Sequence, residues 1–108
     1  MENIFEKGII LDLAQLIDYS EGGVVSKQIL KSIPGNITLF SFYKGQGLSE
    51  HTAPFDAMVQ IIEGKAQIRI GGKPFDLKAG ETIIMPANIS HALHATENFK
   101  MLLTMIRG

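Results

Sequence analysis

Residues 80–95 read GETIIMPANISHALHA, and residues 45–64 read GQGLSEHTAPFDAMVQIIEG. Each stretch contains a glycine turn, a short apolar strand and a histidine at a strand edge, His91 in the first and His51 in the second. Histidines on separate strands can converge inside a closed barrel, and a ligand pocket commonly opens at the mouth of such a barrel. The two stretches therefore favour a β-barrel with two histidines at one cavity.

The chain around these stretches consists of short apolar segments separated by turn residues, a spacing typical of a sandwich or barrel. Gly71-Gly72 predicts a two-residue hairpin, because two glycines supply the positive φ angles of such a turn. Pro74 lacks an amide hydrogen and therefore suits a strand start or a sheet edge. The predicted strands cover residues 24–30, 37–43, 58–62, 66–70, 73–77, 82–85, 91–95 and 99–106. This pattern predicts an all-β fold.

The N-terminal region fits two local structures. Four apolar side chains of residues 4–17 would share one helical face, but residues 8–11 also read as an extended run, so we expect a short strand or a single helical turn. Residues 34–36, Pro-Gly-Asn, are expected to break the chain between the first two strands. The sequence has no fixed-period repeat, low-complexity tract or linker, which predicts one domain over residues 1–108.

The composition is that of an ordinary globular protein, with 45% apolar and 19% charged residues. A net charge of −1 provides no basic patch for nucleic acid or an anionic membrane. The absence of cysteine excludes disulfides, thiolate metal sites and cysteine nucleophiles. No stretch approaches the roughly 20 apolar residues of a membrane span, and Glu2, Glu6 and Asp12 are incompatible with a secretory signal. We therefore expect a cytoplasmic protein.

The two quoted stretches resemble the two conserved motifs of the cupin superfamily. The first family motif is glycine, five residues, His-x-His, three or four residues, glutamate, six residues, glycine. The second is glycine, five residues, Pro-x-Gly, two residues, histidine, three residues, asparagine. Six residues match at the family's spacing: Gly45, His51 and Gly64 in the first motif, and Gly80, Pro86 and His91 in the second. The resemblance covers about residues 37–106, and it implies a double-stranded β-helix, or jelly roll, and a homodimer.

The resemblance also implies a metal site, but this sequence departs from the family's ligand set. In the family, three histidines and one glutamate bind a divalent metal, usually iron, manganese, nickel or zinc. Here only His51 and His91 stand at ligand positions, while Ala53 replaces the second histidine and Ala57 replaces the glutamate. Two imidazoles leave a divalent ion short of its usual four to six ligands, so water, a bound carboxylate or Asp56 would have to complete the shell.

Other residues near the motifs have less direct roles. Strand alternation places Asp56 and His94 on the face opposite the ligand positions, so either would reach a metal only through a β-bulge. An aspartate one residue away from a ligand position, as Asp56 is, more often caps a turn. Asn88 replaces the glycine of the second motif, and asparagine tolerates the left-handed conformation expected there. The residues expected to line the cavity are Ala53, Ala57, Phe42, Phe55 and Met85.

Three functions fit this sequence, and the fold does not decide among them because the architecture hosts many chemistries. The first is a binding module for a small apolar or carboxylate-bearing molecule, with or without a weakly held divalent metal. The second is a metal-dependent dioxygenase, isomerase or decarboxylase, in which His51, His91 and a recruited acid would hold the metal. The third is a dimeric scaffold without a ligand. We recognise no nucleophile–base pair, since Ser90 points away from the adjacent His91 on a strand.

Overall fold

A computed structural model describes residues 5–107. In this part of the chain a three-residue 3-10 helix, Leu13–Gln15, precedes nine strands. The strands are β1 (Val24–Ser32), β2 (Gly35–Phe42), β3 (Gly47–His51), β4 (Asp56–Glu63), β5 (Lys65–Ile70), β6 (Lys73–Lys78), β7 (Thr82–Met85), β8 (His91–Ala95) and β9 (Phe99–Ile106). No helix within these residues is long and apolar enough to cross a membrane.

The strands form two antiparallel sheets. The larger sheet has the strand order β1-β2-β9-β4-β7, and the smaller has the order β3-β8-β5-β6. Strands that are distant in the sequence are neighbours in both sheets, which is the connectivity of a jelly roll. The predicted all-β, double-stranded β-helix is therefore confirmed.

The core lies between the two sheets, because alternation turns every second side chain of each strand inward. Phe42 of β2 and Phe99 of β9 are fully buried, and their rings stack with centroids 4.5 Å apart. Val59 and Met101 from the larger sheet and Ile68 from the smaller sheet are equally buried in the same cluster. This packing fills the space between the two sheets, and the cluster extends to Met101, which also lines the cavity beside the motif histidines.

Most of the predicted strands are confirmed. The predicted bounds of β7, β8 and β9 are the observed ones, and the hairpin between β5 and β6 has positive φ angles of 58° at Gly71 and 81° at Gly72. Pro74 lies on β6, which is an edge strand as predicted. Asn88 adopts the left-handed conformation, with a φ of 65°. The residue types at these positions therefore predicted the turns between the strands correctly.

Two local expectations need correction. The break between β1 and β2 lies at Ile33-Pro34, and Gly35 already belongs to β2. Glycine is required there by the close approach of β9, because a Cβ at Gly35 would lie 2.1 Å from the carbonyl oxygen of Met105. The sequence pattern also gave no strand corresponding to β3. In the ambiguous N-terminal region, the helical turn is the alternative that the structure contains.

Residues 12–20, which we call the N-terminal strap, cover the outer face of the larger sheet. Three sheet side chains donate hydrogen bonds to alternate carbonyl oxygens of the strap: Lys100 Nζ to Ala14 at 2.6 Å, Lys27 Nζ to Leu16 at 2.6 Å, and Ser41 Oγ to Asp18 at 2.8 Å. Ile17 of the strap is 1% exposed. The strap therefore buries part of a sheet face that would otherwise be open to water.

Lys100 also joins the strap to β4. Its ammonium lies 3.6 Å from Glu63 Oε2 and 5.0 Å from the centre of the Tyr19 ring, and the Tyr19 hydroxyl donates to the same carboxylate oxygen. Burial, reinforced by the hydrogen bond to Glu63 and by its charge, raises the pKa of the Tyr19 phenol above its usual value. The cluster therefore keeps Tyr19 protonated and fixes the end of the strap.

Candidate functional site

A β-bulge in β3 turns His51 towards the interior. Leu48 pairs with Leu93 of β8, and His51 pairs directly with His91, with a register shift between Leu48 and His51. Residues three apart on a regular strand point to opposite faces, so without the shift Leu48 and His51 could not both face inward. The bulge places both side chains at the same cavity. The structure therefore brings together the two histidines that the sequence singled out.

The two imidazole rings meet through their Nε2 atoms, which are 3.1 Å apart. On the other side of each ring, Nδ1 faces a backbone carbonyl: His51 Nδ1 lies 2.7 Å from Ser49 O, and His91 Nδ1 lies 3.3 Å from Ile89 O. A carbonyl oxygen only accepts hydrogen bonds, so a ring proton on Nδ1 donates to it and leaves Nε2 as an acceptor. The two Nε2 atoms lie within hydrogen-bond distance of each other. A proton carried by either of them, or a metal cation between them, can therefore bridge the two rings.

The two histidines differ in their exposure. His91 is 5% exposed, whereas His51 is exposed at the rim of the cavity. Desolvation, followed by the charge of His51, lowers the pKa of His91 below its ordinary value, and the Ile89 carbonyl only partly opposes this. His91 is therefore neutral at pH 7, which is the form of imidazole that binds metals.

The cavity beneath the histidines is small and apolar. Its volume is about 50 Å³, and its lining combines the two histidines and two alanines with three leucines and three methionines. The alanines are Ala53 and Ala57, and the methionines are Met85, Met101 and Met105. The space is large enough for an ion or a small group. A larger ligand would contact the histidines from outside the rim.

The structure places the other candidate residues away from this cavity. Phe42 is buried in the stack with Phe99, and Phe55 lies under the guanidinium of Arg107, 4.9 Å from its ring centre; neither lines the cavity. Asp56 Oδ1 accepts a hydrogen bond from the Ala87 amide at 2.9 Å, which is the turn-capping role. His94 is exposed and lies on the outer face of the smaller sheet.

Five lining residues were not among those expected from the sequence: Leu48, Leu93 and three residues of β9, Met101, Leu103 and Met105. Strand alternation carries the signal for the three residues of β9, because Phe99, Met101, Leu103 and Met105 all fall on one face of this strand. Their position opposite the histidines, however, depends on which sheet contains β9 and on its neighbours. That information is in the strand order and not in the pattern of the strand itself.

The divalent metal of the family fits part of this site. Two imidazole nitrogens bound to one ion at about 2.0–2.1 Å stand about 3.1 Å apart when they subtend roughly 100° at the ion, which agrees with the observed 3.1 Å between the Nε2 atoms. The remaining ligands are missing, because residues 5–107 contain no group of three or more histidine, cysteine, aspartate or glutamate side chains that could hold a metal. His51 and His91 thus supply half of the family's ligand set and no carboxylate.

A jelly roll with a histidine from each of two facing motifs at its cavity defines a cupin-type barrel. The family model described as the cupin domain matches residues 38–107. The chain belongs to the cupin family. No curated protein matches it.

Solved structures of bacterial proteins are similar to this chain. A conserved protein of unknown function from Streptococcus pyogenes is 38% identical, with a TM-score of 0.92, over 100% of this chain and 96% of that one. A cupin superfamily protein from Desulfitobacterium hafniense is 31% identical, with a TM-score of 0.89, over 95% and 94%. A cupin 2 conserved barrel domain protein from Leptotrichia buccalis is 43% identical, with a TM-score of 0.87; the match covers 90% of this chain and 47% of that longer one.

Proposed function

We propose that this protein is a binding barrel whose His51–His91 pair captures a small ligand at the rim of the cavity, either directly or through a metal ion between the two Nε2 atoms. The observation that carries this proposal is the 3.1 Å separation of those atoms, with both Nδ1 atoms facing carbonyl oxygens. Two imidazole nitrogens that face each other at this distance can bind a cation together. A ligand carboxylate can approach that charge from the solvent side, because His51 is exposed.

A divalent ion bound by the two histidines would offer open coordination positions to such a carboxylate and would polarise it as a Lewis acid. The protein's own contribution is to orient the two imidazoles, through the contacts of their Nδ1 atoms with the Ser49 and Ile89 carbonyls, and to surround the inner side of the pair with apolar groups. An acid or base for a catalytic role would have to be one of the two imidazoles, since the lining residues include no carboxylate.

Titration of the histidine side chains tests this proposal. The chain has three histidines, and His94 is an internal control because it lies outside the cavity. We expect Zn²⁺, and separately acetate, to shift the ring resonances of His51 and His91 in NMR spectra and to leave those of His94 in place. His51→Ala and His91→Ala should each weaken Zn²⁺ binding by about tenfold or more, whereas His94→Ala should not.

Two results contradict the proposal. One is a wild-type protein in which neither probe moves the ring resonances of His51 and His91 at millimolar concentration. The other is a His94→Ala variant that loses as much Zn²⁺ affinity as the two cavity variants, because binding would then occur at the surface. Dispersed amide spectra of all three variants provide the control for folding.

A further inference from the structure

We propose that the cavity is selective for a soft monovalent metal ion, Cu(I), which the thioethers of its methionines bind together with the two histidines. This inference rests on the proposed function of the His51–His91 pair, since those two nitrogens supply the first ligands. It goes beyond that function by naming the ion and the residues that select it.

The strand order puts a methionine on each side of the position where the family has its glutamate. Ala57 of β4 pairs with Met85 of β7 on one side and with Met105 of β9 on the other. Residues directly opposite in an antiparallel pair point to the same face, and all three side chains line the cavity. A pair of sulfur donors thus flanks the place of the missing carboxylate.

A third methionine enlarges this donor set. Met101 lies four residues before Met105 on β9, faces the same cavity and is 0% exposed. Methionine is unbranched and has three rotatable bonds, so its sulfur adjusts to a ligand more easily than a branched side chain would. Three of the five methionines in the chain therefore surround a cavity of about 50 Å³ that contains two imidazoles.

The chemistry of these donors selects the ion. Thioether sulfur prefers soft ions such as Cu(I), imidazole accepts copper as well as zinc, and carboxylate, which suits hard divalent ions, is missing from the lining. The chain also has no cysteine, so no thiolate competes for the ion elsewhere. A soft ion therefore gains ligands in this cavity that a hard ion cannot use.

Anaerobic titration with Cu(I), in competition with a chromogenic Cu(I) chelator, measures the affinity, and Zn²⁺ is titrated in parallel. We expect Met85→Leu and Met105→Leu to weaken Cu(I) binding by about tenfold or more each and to leave Zn²⁺ binding unchanged. Met58→Leu is the matched control. Met58 is adjacent to Ala57 on β4 but pairs with Ile84 and Thr104 on the outer face of the sheet.

Methyl NMR of the wild-type protein gives a readout that requires no variant to fold. With ¹³C-labelled methionine methyl groups, Cu(I) should shift the signals of Met85 and Met105 and leave that of Met58 in place. Unshifted cavity signals, or leucine variants that bind Cu(I) as tightly as the wild type, would overturn the inference and leave the two-histidine site intact. If His51→Ala changed the binding of neither ion, both proposals would fail.

Discussion

Gly64 and Gly72 share a φ of 81° but have different surroundings, which makes them a matched pair for substitution by alanine. A Cβ at Gly72 would meet no atom within 4 Å, so Gly72→Ala should cost only the left-handed backbone penalty of about 1–2 kcal/mol. A Cβ at Gly64 would lie 1.9 Å from the carbonyl oxygen of Asn98 and 2.8 Å from Cα of Phe99. Both distances are too short for any side chain, so the backbone at the start of β9 must move.

The cost of that movement follows from what β9 holds in place. Phe99 is fully buried and stacks on Phe42 at 4.5 Å, and loss of a buried aromatic contact of this kind costs about 3–5 kcal/mol in large-to-small substitutions. With the backbone penalty added, we expect Gly64→Ala to lose about 4 kcal/mol or more. That loss approaches the whole stability of a domain of this size, about 5–15 kcal/mol.

Urea unfolding followed by far-ultraviolet circular dichroism measures both variants against the wild type, and linear extrapolation gives the free energy of unfolding. We expect Gly64→Ala to be less stable than Gly72→Ala by about 2 kcal/mol or more. If Gly64→Ala does not fold while Gly72→Ala does, the result agrees with this expectation, because the loss then exceeds the stability of the domain. Equal losses of unfolding free energy in the two variants would contradict the prediction, because the close contact with Asn98 and Phe99 would then not destabilise the protein.

Three further predictions concern the site, the strap and assembly. The lowered pKa of His91 means that the unfolded state, with a histidine pKa near 6.5, binds more protons; stability should therefore fall as pH drops below about 6.5. In urea titrations with a chelator present, His91→Gln should flatten this dependence. Lys100→Met should cost about 1–3 kcal/mol, because it removes a charged donor that is 8% exposed. Lys65 provides the control, because its side chain is 59% exposed although it forms an ion pair. Lys65→Met should change the free energy of unfolding by less than about 1 kcal/mol. For the expected homodimer, light scattering should give twice the 11.8 kDa chain mass, and Ile84→Glu on the exposed outer face should shift the mass towards one chain. A wild-type monomer at micromolar concentration would contradict the last of these.

The sequence predicted features that depend on neighbours along the chain. The Gly71-Gly72 turn and Pro74 on an edge strand are local choices of backbone, and they were recognisable from the residue types alone. The same holds for the bounds of β8, where alternation sends His91 inward and His94 outward. The motif resemblance added the pairing of distant segments, which alternation by itself does not provide.

Features that depend on strand order were not predictable in the same way. The position of Ala57 between Met85 and Met105 exists because β4 lies between β7 and β9, and nothing in the three segments specifies that order. The strap is a second example. Lys100 falls in a strand that the sequence predicts, yet its partner carbonyl, on Ala14, is 86 residues away. Contacts of this range come from the topology of the whole barrel.

The bulge in β3 has a consequence for how this site can arise and disappear. The inward direction of His51 depends on one residue of extra length between Leu48 and the histidine. Deleting a single residue there would leave both histidines in the chain and turn one of them to the solvent. Within such barrels, a short insertion or deletion can therefore create or remove a metal or ligand site while the residues at the ligand positions remain the same. In this segment, the number of residues carries as much information as their identity.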